Sequence, residues 1–211
     1  MTHAAVVAGL AITAAQAGAV TITFDELAVG TTLSNQYAAM GATFVPNAFT
    51  GAGGPNGAWG TNTDMTIVSS TGGDVGGLGT PSLVSGNLLR SFNGWLGENG
   101  DPSFAINFST PVSSISIDFA GVADVANTRL FAYNGATQLG IVTSAVSTGQ
   151  FTLSFAAASI TSVRVTPGWF NDWVGVDNVV FTPMAVPEPR TVAMMGLGVA
   201  VLLAFRSRRR G

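Results

Sequence analysis

The residue types that carry out most enzyme chemistry are nearly absent from this sequence. It contains no Cys and no Lys, and its single His is His3. Ser–His–Asp and Cys–His catalysis require an imidazole base, zinc sites use imidazole or thiolate ligands, and the phosphate-binding P-loop requires a Lys. These chemistries are therefore excluded for the body of the chain.

Carboxylates are the remaining ionisable groups with catalytic potential. Ten acidic residues and three arginines lie between Val20 and Val186, so this body has a net charge of −7. An acidic body repels phosphates, and we expect no nucleic-acid partner. Facing carboxylates can cleave glycosidic bonds, which makes a small glycan-processing enzyme one hypothesis. The sequence does not identify a catalytic pair, and we predict a non-catalytic protein.

Aromatic residues provide a second chemical signal. The densest aromatic and polar cluster of the chain is the segment WFNDW, which runs from Trp169 to Trp173. Flat rings stack on sugars while amide and carboxylate groups bind hydroxyls. The candidate carbohydrate-binding residues are therefore Trp169, Asn171, Asp172 and Trp173. Large aromatic side chains also fill protein cores, and this alternative remains open.

The N-terminal residues have the pattern of a signal peptide. An apolar run from Ala4 to Ala15 is followed by Ala15-Gln16-Ala17, which fits the small-x-small cleavage rule, and Ala17-Gly18-Ala19 is an alternative site. The run is too short to span a bilayer. We predict a signal peptide over residues 1–19, although no Lys or Arg precedes the apolar run. A buried Ala-rich helix is the alternative.

The C-terminal end combines prolines, an apolar segment and arginines. Pro187 and Pro189 end any preceding strand, because proline has no N–H to donate. The apolar segment Thr191–Phe205 would be about 22 Å long as a helix, and the arginines after it favour a cytoplasmic end. We predict a linker over residues 183–190, a transmembrane helix over 191–205 and a basic cytoplasmic tail over 206–211. The basic residues of this tail are Arg206, Arg208, Arg209 and Arg210.

This order of features resembles the PEP-CTERM sorting signal. The resemblance covers Val186 to Gly211 and includes the motif residues Pro187, Glu188 and Pro189. In that family an inner-membrane exosortase is thought to process the tag during export in Gram-negative bacteria, which often make exopolysaccharide. The resemblance implies Sec-type export and anchoring through the C-terminal helix until processing, followed by a cell-surface or extracellular location. An ordinary C-terminal anchor is the alternative and has the same topology.

The body between the two ends is predicted to be all-β. Short alternating segments are separated by turn residues, and Asn134-Gly135 indicates a hairpin. Many short strands favour an antiparallel two-sheet sandwich of jelly-roll kind over residues 20–182. The Gly-rich segment 51–100 shows little periodicity. The predicted strands are Thr21–Phe24, Ala42–Val45, Met65–Val68, Leu88–Phe92, Phe104–Phe108, Ser114–Phe119, Arg129–Tyr133, Gln138–Thr143, Gln150–Phe155, Ser162–Thr166 and Asp177–Phe181.

Both ends of the body resemble recurring PEP-CTERM extracellular domains. The carrying segments are ITFDELAVGTTLSNQYAAMGATF and VGVDNVVF, and the second is also similar to the closing strand of several carbohydrate-binding jelly rolls. In many such jelly rolls the first and last strands are neighbours, and acidic residues there hold a structural Ca²⁺. The resemblance implies Asp25, Glu26 and Asp177 as calcium ligands, completed by carbonyls or Asn178. Solvated or turn-capping carboxylates are the alternative.

Together these observations predict an exported, non-catalytic protein of the cell surface or extracellular matrix, with a structural or adhesive role. A carbohydrate-binding module acting on exopolysaccharide is the second hypothesis, and a paired-carboxylate enzyme is the third.

Overall fold

The body of the chain folds into an antiparallel β domain. The computed structural model describes residues 18–46, 64–72, 82–92, 103–123, 125–146, 149–168 and 174–185, together with Gly196, Gly198, Val199 and Arg206. Residues Gly18–Met184 form one compact unit. Its strands are β1 (Val20–Ile22), β2 (Ala42–Pro46), β3 (Asp64–Ser69), β4 (Asn87–Phe92), β5 (Phe104–Ala120), β6 (Arg129–Asn134), β7 (Thr137–Thr143), β8 (Phe151–Thr166) and β9 (Val174–Pro183).

Two long strands, β5 and β8, connect the two halves of the fold. One half contains β2, β6 and β7, and the other contains β1, β3, β4 and β9. The hydrogen-bonded order is β3-β4-β9-β5-β8-β6-β7, with β1 beside β9 and β2 beside β5. The first part of β5 pairs with β2 and with the end of β8, and β8 continues the pairing to β6. The second part of β5 pairs with β9 and with the start of β8. The prediction of an all-β antiparallel sandwich is confirmed, and the first and last strands are neighbours as expected.

Both long strands change register where they pass from one half to the other. The pairing of β5 with β8 shifts between Asn107 and Val112 and again between Val112 and Ser114. Pro111 lies at this irregularity, where a missing N–H is tolerated. In β8, Ser159 has a φ of +64°. Such bulges bend strands and allow them to switch sheets. The sequence prediction divided each of these strands into two because it interpreted the bends as loops.

The core lies between the two halves and consists of alternating residues of the long strands. Ile115, Ile117 and Phe119 are buried, as the alternation predicts, and Phe119 stacks on Phe151 with ring centroids 5.7 Å apart. An edge-to-face cluster of Phe24, Tyr37 and Phe44 closes the core beside β1 and β2. A second small cluster contains Val68, Val84, Leu88 and Ala120. The second cluster shows that residues 82–86 also pack against the β domain.

The hairpin predicted at Asn134-Gly135 is displaced by one residue. Asn134 pairs with Thr137, so the two-residue turn consists of Gly135 and Ala136. Gly135 has a φ of +55°, which glycine adopts without a steric penalty. The register then shifts near Leu139, because Ala132 pairs with Gly140 and Tyr133 pairs with Gln138. The sequence therefore located the hairpin but not its register.

Candidate functional site

Asp177 is a buried carboxylate in β9, with only 2% of its surface exposed. Its Oδ1 accepts the backbone N–H of Asn178 at 2.7 Å, and its Oδ2 accepts that of Ser85 at 3.2 Å. Burial raises the pKa of Asp177 from 3.8 to about 6, the two N–H donors oppose this rise, and the neighbouring Asp25 and Asp118 add to it. The ionised carboxylate is therefore costly to bury, even though it links β9 to the residues before β4.

A bulge in β9 orients this carboxylate. The pairing of β9 with β5 shifts between Ser116 and Asp118, and Asn178 has a φ of +47°. Asn tolerates this left-handed conformation better than most residues. Because bulges redirect side chains, two polar residues in succession can contact different neighbours of the strand.

Asn178 extends the network to β5 and to the segment before β4. Its Nδ2 donates to the carbonyl of Leu83 at 3.2 Å and to Oδ2 of Asp118 at 3.0 Å. Thr152, which lies opposite Asp118 on β8, donates its hydroxyl to the other oxygen of Asp118. The side chains of Asn178, Asp118 and Thr152 therefore connect β9, β5 and β8 in addition to the backbone pairing of these strands.

Asp25 contacts the same segment from the turn after β1. This turn begins at Phe24, whose φ is +62°. Oδ1 of Asp25 accepts the backbone N–H of Asn87 at 2.9 Å, and Asn87 donates its side-chain amide to the carbonyl of Leu27. Gly86 has a φ of +66°, and a Cβ at this position would overlap the Asp25 carboxylate. We call Asp25, Asp118, Asp177, Asn178 and the residues 83–87 that they contact the acidic junction.

Tyr37 reaches the acidic junction from inside the core. Its side chain is 2% exposed, and its hydroxyl makes no hydrogen bond within the described residues. Burial raises its pKa above the usual 10, the hydrogen-bonding proximity and the charge of the Glu26 carboxylate raise it further, and the charges of Asp177 and Asp25 add to the rise. A buried hydroxyl without a partner loses its hydration without compensation. The Tyr37 hydroxyl therefore lies close to the carboxylates of Glu26, Asp177 and Asp25.

The predicted calcium ligands Asp25, Glu26 and Asp177 each lie close enough to Tyr37 to affect its pKa. Oxygens of Asp25 and Asp177 already accept backbone N–H groups. Within the part of the chain that the structure describes, no three acidic groups converge closely enough to hold a metal ion. Calcium binding therefore stays a prediction. The sequence analysis did not assign Asp118 or Tyr37 to this site, because only strand pairing places them there.

The residues predicted to bind carbohydrate lie outside the part of the chain that the structure describes. Trp169, Asn171, Asp172 and Trp173 are outside the described residues. The preceding residue, Gly168, donates its backbone N–H to the hydroxyl of Thr128 at 2.8 Å. The carbohydrate-binding and enzymatic hypotheses remain predictions, since Trp169, Trp173 and several of the acidic residues are not described.

The outer face of the domain has an open groove beside the acidic junction. It measures about 340 Å³ and lies across β5, β8 and β9. Its lining is formed by Ser114, Ile115, Ser116, Ser154, Phe155, Ala156 and Val180. Serine hydroxyls and apolar groups could contact a ligand there, but this lining contains no acid or base for catalysis.

The C-terminal end of the chain is the part that matches a known protein family model. Residues 185–210 match the family model described as the PEP-CTERM protein-sorting motif. The chain carries a PEP-CTERM sorting motif. The match includes the predicted motif residues Pro187, Glu188 and Pro189, so the predicted resemblance is confirmed. A PEP-CTERM signal implies that the protein is exported.

The described residues of the PEP-CTERM motif are few. Gly196, Gly198, Val199 and Arg206 are helical and exposed. Pro187, Glu188, Pro189, Arg208, Arg209 and Arg210 lie outside the described residues, as does the predicted signal peptide up to Ala17. Among the residues that the structure describes, no helix is long and apolar enough to cross a membrane. The transmembrane segment over 191–205 therefore stays a prediction.

The solved structures that match this chain share little sequence with it. A cleaved adhesin domain of Lys-gingipain matches with a TM-score of 0.47 and 13% identity, over 78% of this chain and 99% of that chain. Another cleaved adhesin domain, from Porphyromonas gingivalis, matches with a TM-score of 0.42 and 11% identity, over 78% and 97%.

A third structure is the CBM22-1-CBM22-2 tandem domain of Xyn10C from Paenibacillus barcinonensis. It matches with a TM-score of 0.38 and 12% identity, over 85% of this chain and 49% of that chain. All three TM-scores are below 0.5, so none of these likenesses bears on function. No curated protein matches the chain.

Proposed function

We propose that this PEP-CTERM protein is a non-catalytic structural or adhesive component of the cell surface or extracellular matrix. The observation that supports the proposal is the sorting motif at residues 185–210, which implies export. The β domain that precedes the motif is the part that would be displayed. Its described groove offers hydroxyl and apolar contacts rather than ionisable groups.

The tail is proposed to act in two steps. After export begins, the apolar segment Thr191–Phe205 stops transfer, because the arginines behind it favour the cytoplasmic side. Since fifteen residues are short for a bilayer of about 30 Å, local thinning or snorkelling arginines accommodate the segment. An exosortase then recognises Pro187-Glu188-Pro189 and releases the β domain from the inner membrane.

Fractionation of the host bacterium tests this proposal. We expect the chain without residues 187–211 to accumulate as a soluble periplasmic protein, because it lacks both the anchor and the motif. The matched control replaces Pro187, Glu188 and Pro189 by Ala and keeps the apolar segment and the arginines. This control should remain in the inner membrane in unprocessed form, whereas the wild type should reach the surface.

Two outcomes would contradict the sorting proposal. If the triple-alanine variant reaches the surface as the wild type does, the Pro-Glu-Pro residues are not a sorting signal and the tail is an ordinary anchor. If the wild-type chain is recovered from the cytosol with both ends intact, the export proposal fails altogether.

Calcium binding at the acidic junction is a separate proposal. The ionised Asp177 is buried near Asp25 and Asp118, and the nearby Tyr37 hydroxyl is surrounded by the carboxylates of Glu26, Asp177 and Asp25. A divalent cation would offset this concentration of negative charge. Asp25, Glu26 and Asp177 would hold it, and calcium prefers such oxygen ligands.

Thermal unfolding of residues 18–185 with calcium and with a chelator tests the calcium proposal. A bound ion stabilises the folded state by about 2.7 kcal/mol at a hundredfold excess over its dissociation constant, so the Tm should fall by several degrees when calcium is removed. In Glu26→Gln the difference should shrink, because one charged ligand is lost. A wild-type Tm that is unchanged by the chelator would show that the junction is stable without an ion.

A further inference from the structure

Most outer strands of the β domain are covered or very short. The backbone of β3 exchanges hydrogen bonds with residues 30–33, for example from the Leu33 N–H to the Met65 carbonyl and from the Ile67 N–H to the Thr31 carbonyl. Beside β2, the carbonyl of Ser34 accepts the N–H of Phe44 at 2.7 Å. The strand β1 has only three residues. These hydrogen bonds and the shortness of β1 limit the backbone groups that remain free at three of the sheet margins.

The strand β7 is the exception. It lies at the end of the strand order and pairs only with β6. No described residue outside β6 forms a backbone hydrogen bond with it. An outer strand of this kind presents unpaired N–H and C=O groups to any strand that can approach it. As far as the described residues extend, the margin formed by β7 is therefore open to strand addition.

The sequence of β7 lacks the usual protection of an outer strand. Thr137–Thr143 reads TQLGIVT and contains no charged residue and no proline. Charged side chains, especially Lys, and prolines normally prevent strands from pairing between molecules. Ile141 is 49% exposed on this strand. Because the body has a net charge of −7, an uncharged margin is where two copies can approach with the least repulsion.

Symmetry favours a second copy as the partner. A two-fold axis perpendicular to the sheet pairs a strand with itself in antiparallel orientation, and it places one residue opposite its own symmetry mate. The register irregularity near Leu139 leaves Gly140–Thr143 as the regular part of β7. An axis at Ile141 places Gly140 opposite Val142 and joins the two exposed Ile141 side chains in one cross-strand pair.

We propose that β7 pairs antiparallel with β7 of a second copy, with Ile141 opposite Ile141. The two β domains then form one continuous sheet through their backbones. Only a few residues contribute on each side, so the association is weak in dilute solution and increases with local concentration. This inference concerns the β domain itself and does not depend on the proposed sorting or surface location.

Engineered cysteines test the proposed pairing, because the full chain contains no Cys. Opposed cysteines on neighbouring strands lie within the Cα distance of about 4.4–6.8 Å that a disulfide requires. The full-length chain with Ile141→Cys should form disulfide dimers on mild oxidation at least tenfold faster than two control variants. The readout is the dimer fraction on non-reducing gels as a function of protein concentration.

Val45→Cys and Val29→Cys are the controls. Val45 is 44% exposed and Val29 is 58% exposed, so both cysteines would be as accessible as one at position 141. Val45 also lies on the same cross-strand row as Ile141, which runs through Ala105, Arg164 and Phe131 to the opposite margin of this sheet. Equal dimer formation by all three variants would overturn the proposal, since it would indicate random collision or association through another surface.

A charge variant gives a second test on the protein without cysteine. Ile141→Lys leaves the core unchanged and should reduce concentration-dependent self-association of the full-length chain at least tenfold in sedimentation experiments. Val45→Lys, at the opposite margin, should associate as the wild type does. If both lysine variants associate like the wild type, β7 is not the interface and the proposal is wrong.

Discussion

The free energy of unfolding of the β domain should fall by about 2 kcal/mol through Asp177 alone as the pH rises from about 4 to about 7. The pKa of Asp177 is raised from 3.8 to about 6 in the folded state, chiefly by burial. The folded protein therefore holds this proton at pH values where the unfolded chain has released it. The stabilisation is complete below pH 3.8 and is lost as the pH rises through about 6.

The variant Asp177→Asn isolates this contribution from those of the other carboxylates. An amide has one oxygen, so one of the N–H groups of Ser85 and Asn178 loses its acceptor, which costs about 1–3 kcal/mol at low pH. At neutral pH this cost is offset because the buried negative charge is absent. We therefore expect the stability difference between wild type and variant to change by about 2 kcal/mol between pH values of about 4 and about 7.

Urea unfolding of residues 18–185 at a series of pH values measures both curves. Asp118→Asn is the comparison variant, because Asp118 is a less buried member of the acidic junction and its charge adds to the pKa rise of Asp177. Parallel curves for wild type and Asp177→Asn would show that Asp177 does not titrate in this range. A series with calcium adds a further test: a bound ion should reduce the loss of stability at neutral pH.

Gly86→Ala should be among the most destabilising single substitutions in the β domain. Gly86 has a φ of +66°, which costs a residue with a Cβ about 1–2 kcal/mol. The new Cβ would also overlap the Asp25 carboxylate, which accepts the Asn87 N–H. Displacing that carboxylate leaves the N–H without its partner, which costs about 1–3 kcal/mol more. We expect a total loss of about 2–5 kcal/mol.

Gly135→Ala is the matched control for this prediction. Gly135 has a φ of +55°, and a Cβ there would have no atom within 4 Å. Its substitution should therefore cost only the conformational term of about 1–2 kcal/mol. Equal losses in the two variants, measured by urea unfolding, would mean that Asp25 moves aside freely and that its contact with residues 86 and 87 contributes little.

A double-mutant cycle separates the two parts of the Gly86 effect. In an Asp25→Ala background the carboxylate is absent, so Gly86→Ala should cost about as much as Gly135→Ala does. The coupling between Gly86→Ala and Asp25→Ala is expected to be about 1–3 kcal/mol, as for residues in direct contact. Additive losses would show that the overlap at Gly86 does not involve Asp25.

Much of the secondary structure follows from local sequence patterns. Alternation of apolar and polar residues predicted Ile117 inside and Asp118 outside, because side chains alternate across a strand. The same patterns divided β5 near Pro111 and β8 near Ser159, where the structure has bends within continuous strands. A local pattern cannot distinguish a bend from a loop, since the two differ in which distant strands pair on either side.

The candidate site was only partly predictable for the same reason. Asp25, Glu26 and Asp177 were expected near one another because the first and last strands of such domains are neighbours, and β1 does pair with β9. Asp118 and Tyr37 could not be assigned, because their proximity depends on the β5–β9 register and on packing of the turn after β1. The residues next to Tyr37 in the sequence do not indicate that its hydroxyl lies near several carboxylates in the folded protein.

By itself the sequence determined the sorting motif at residues 185–210, the exclusion of imidazole and thiol chemistry, and the all-β class. These conclusions depend on residue types and short spacings, which chain folding does not alter. Only the tertiary structure decided that Asp177 is buried beside other carboxylates and that, of the described strands, only β6 pairs with β7. Burial and hydrogen-bond partnership depend on segments far apart in the chain, so no local pattern encodes them.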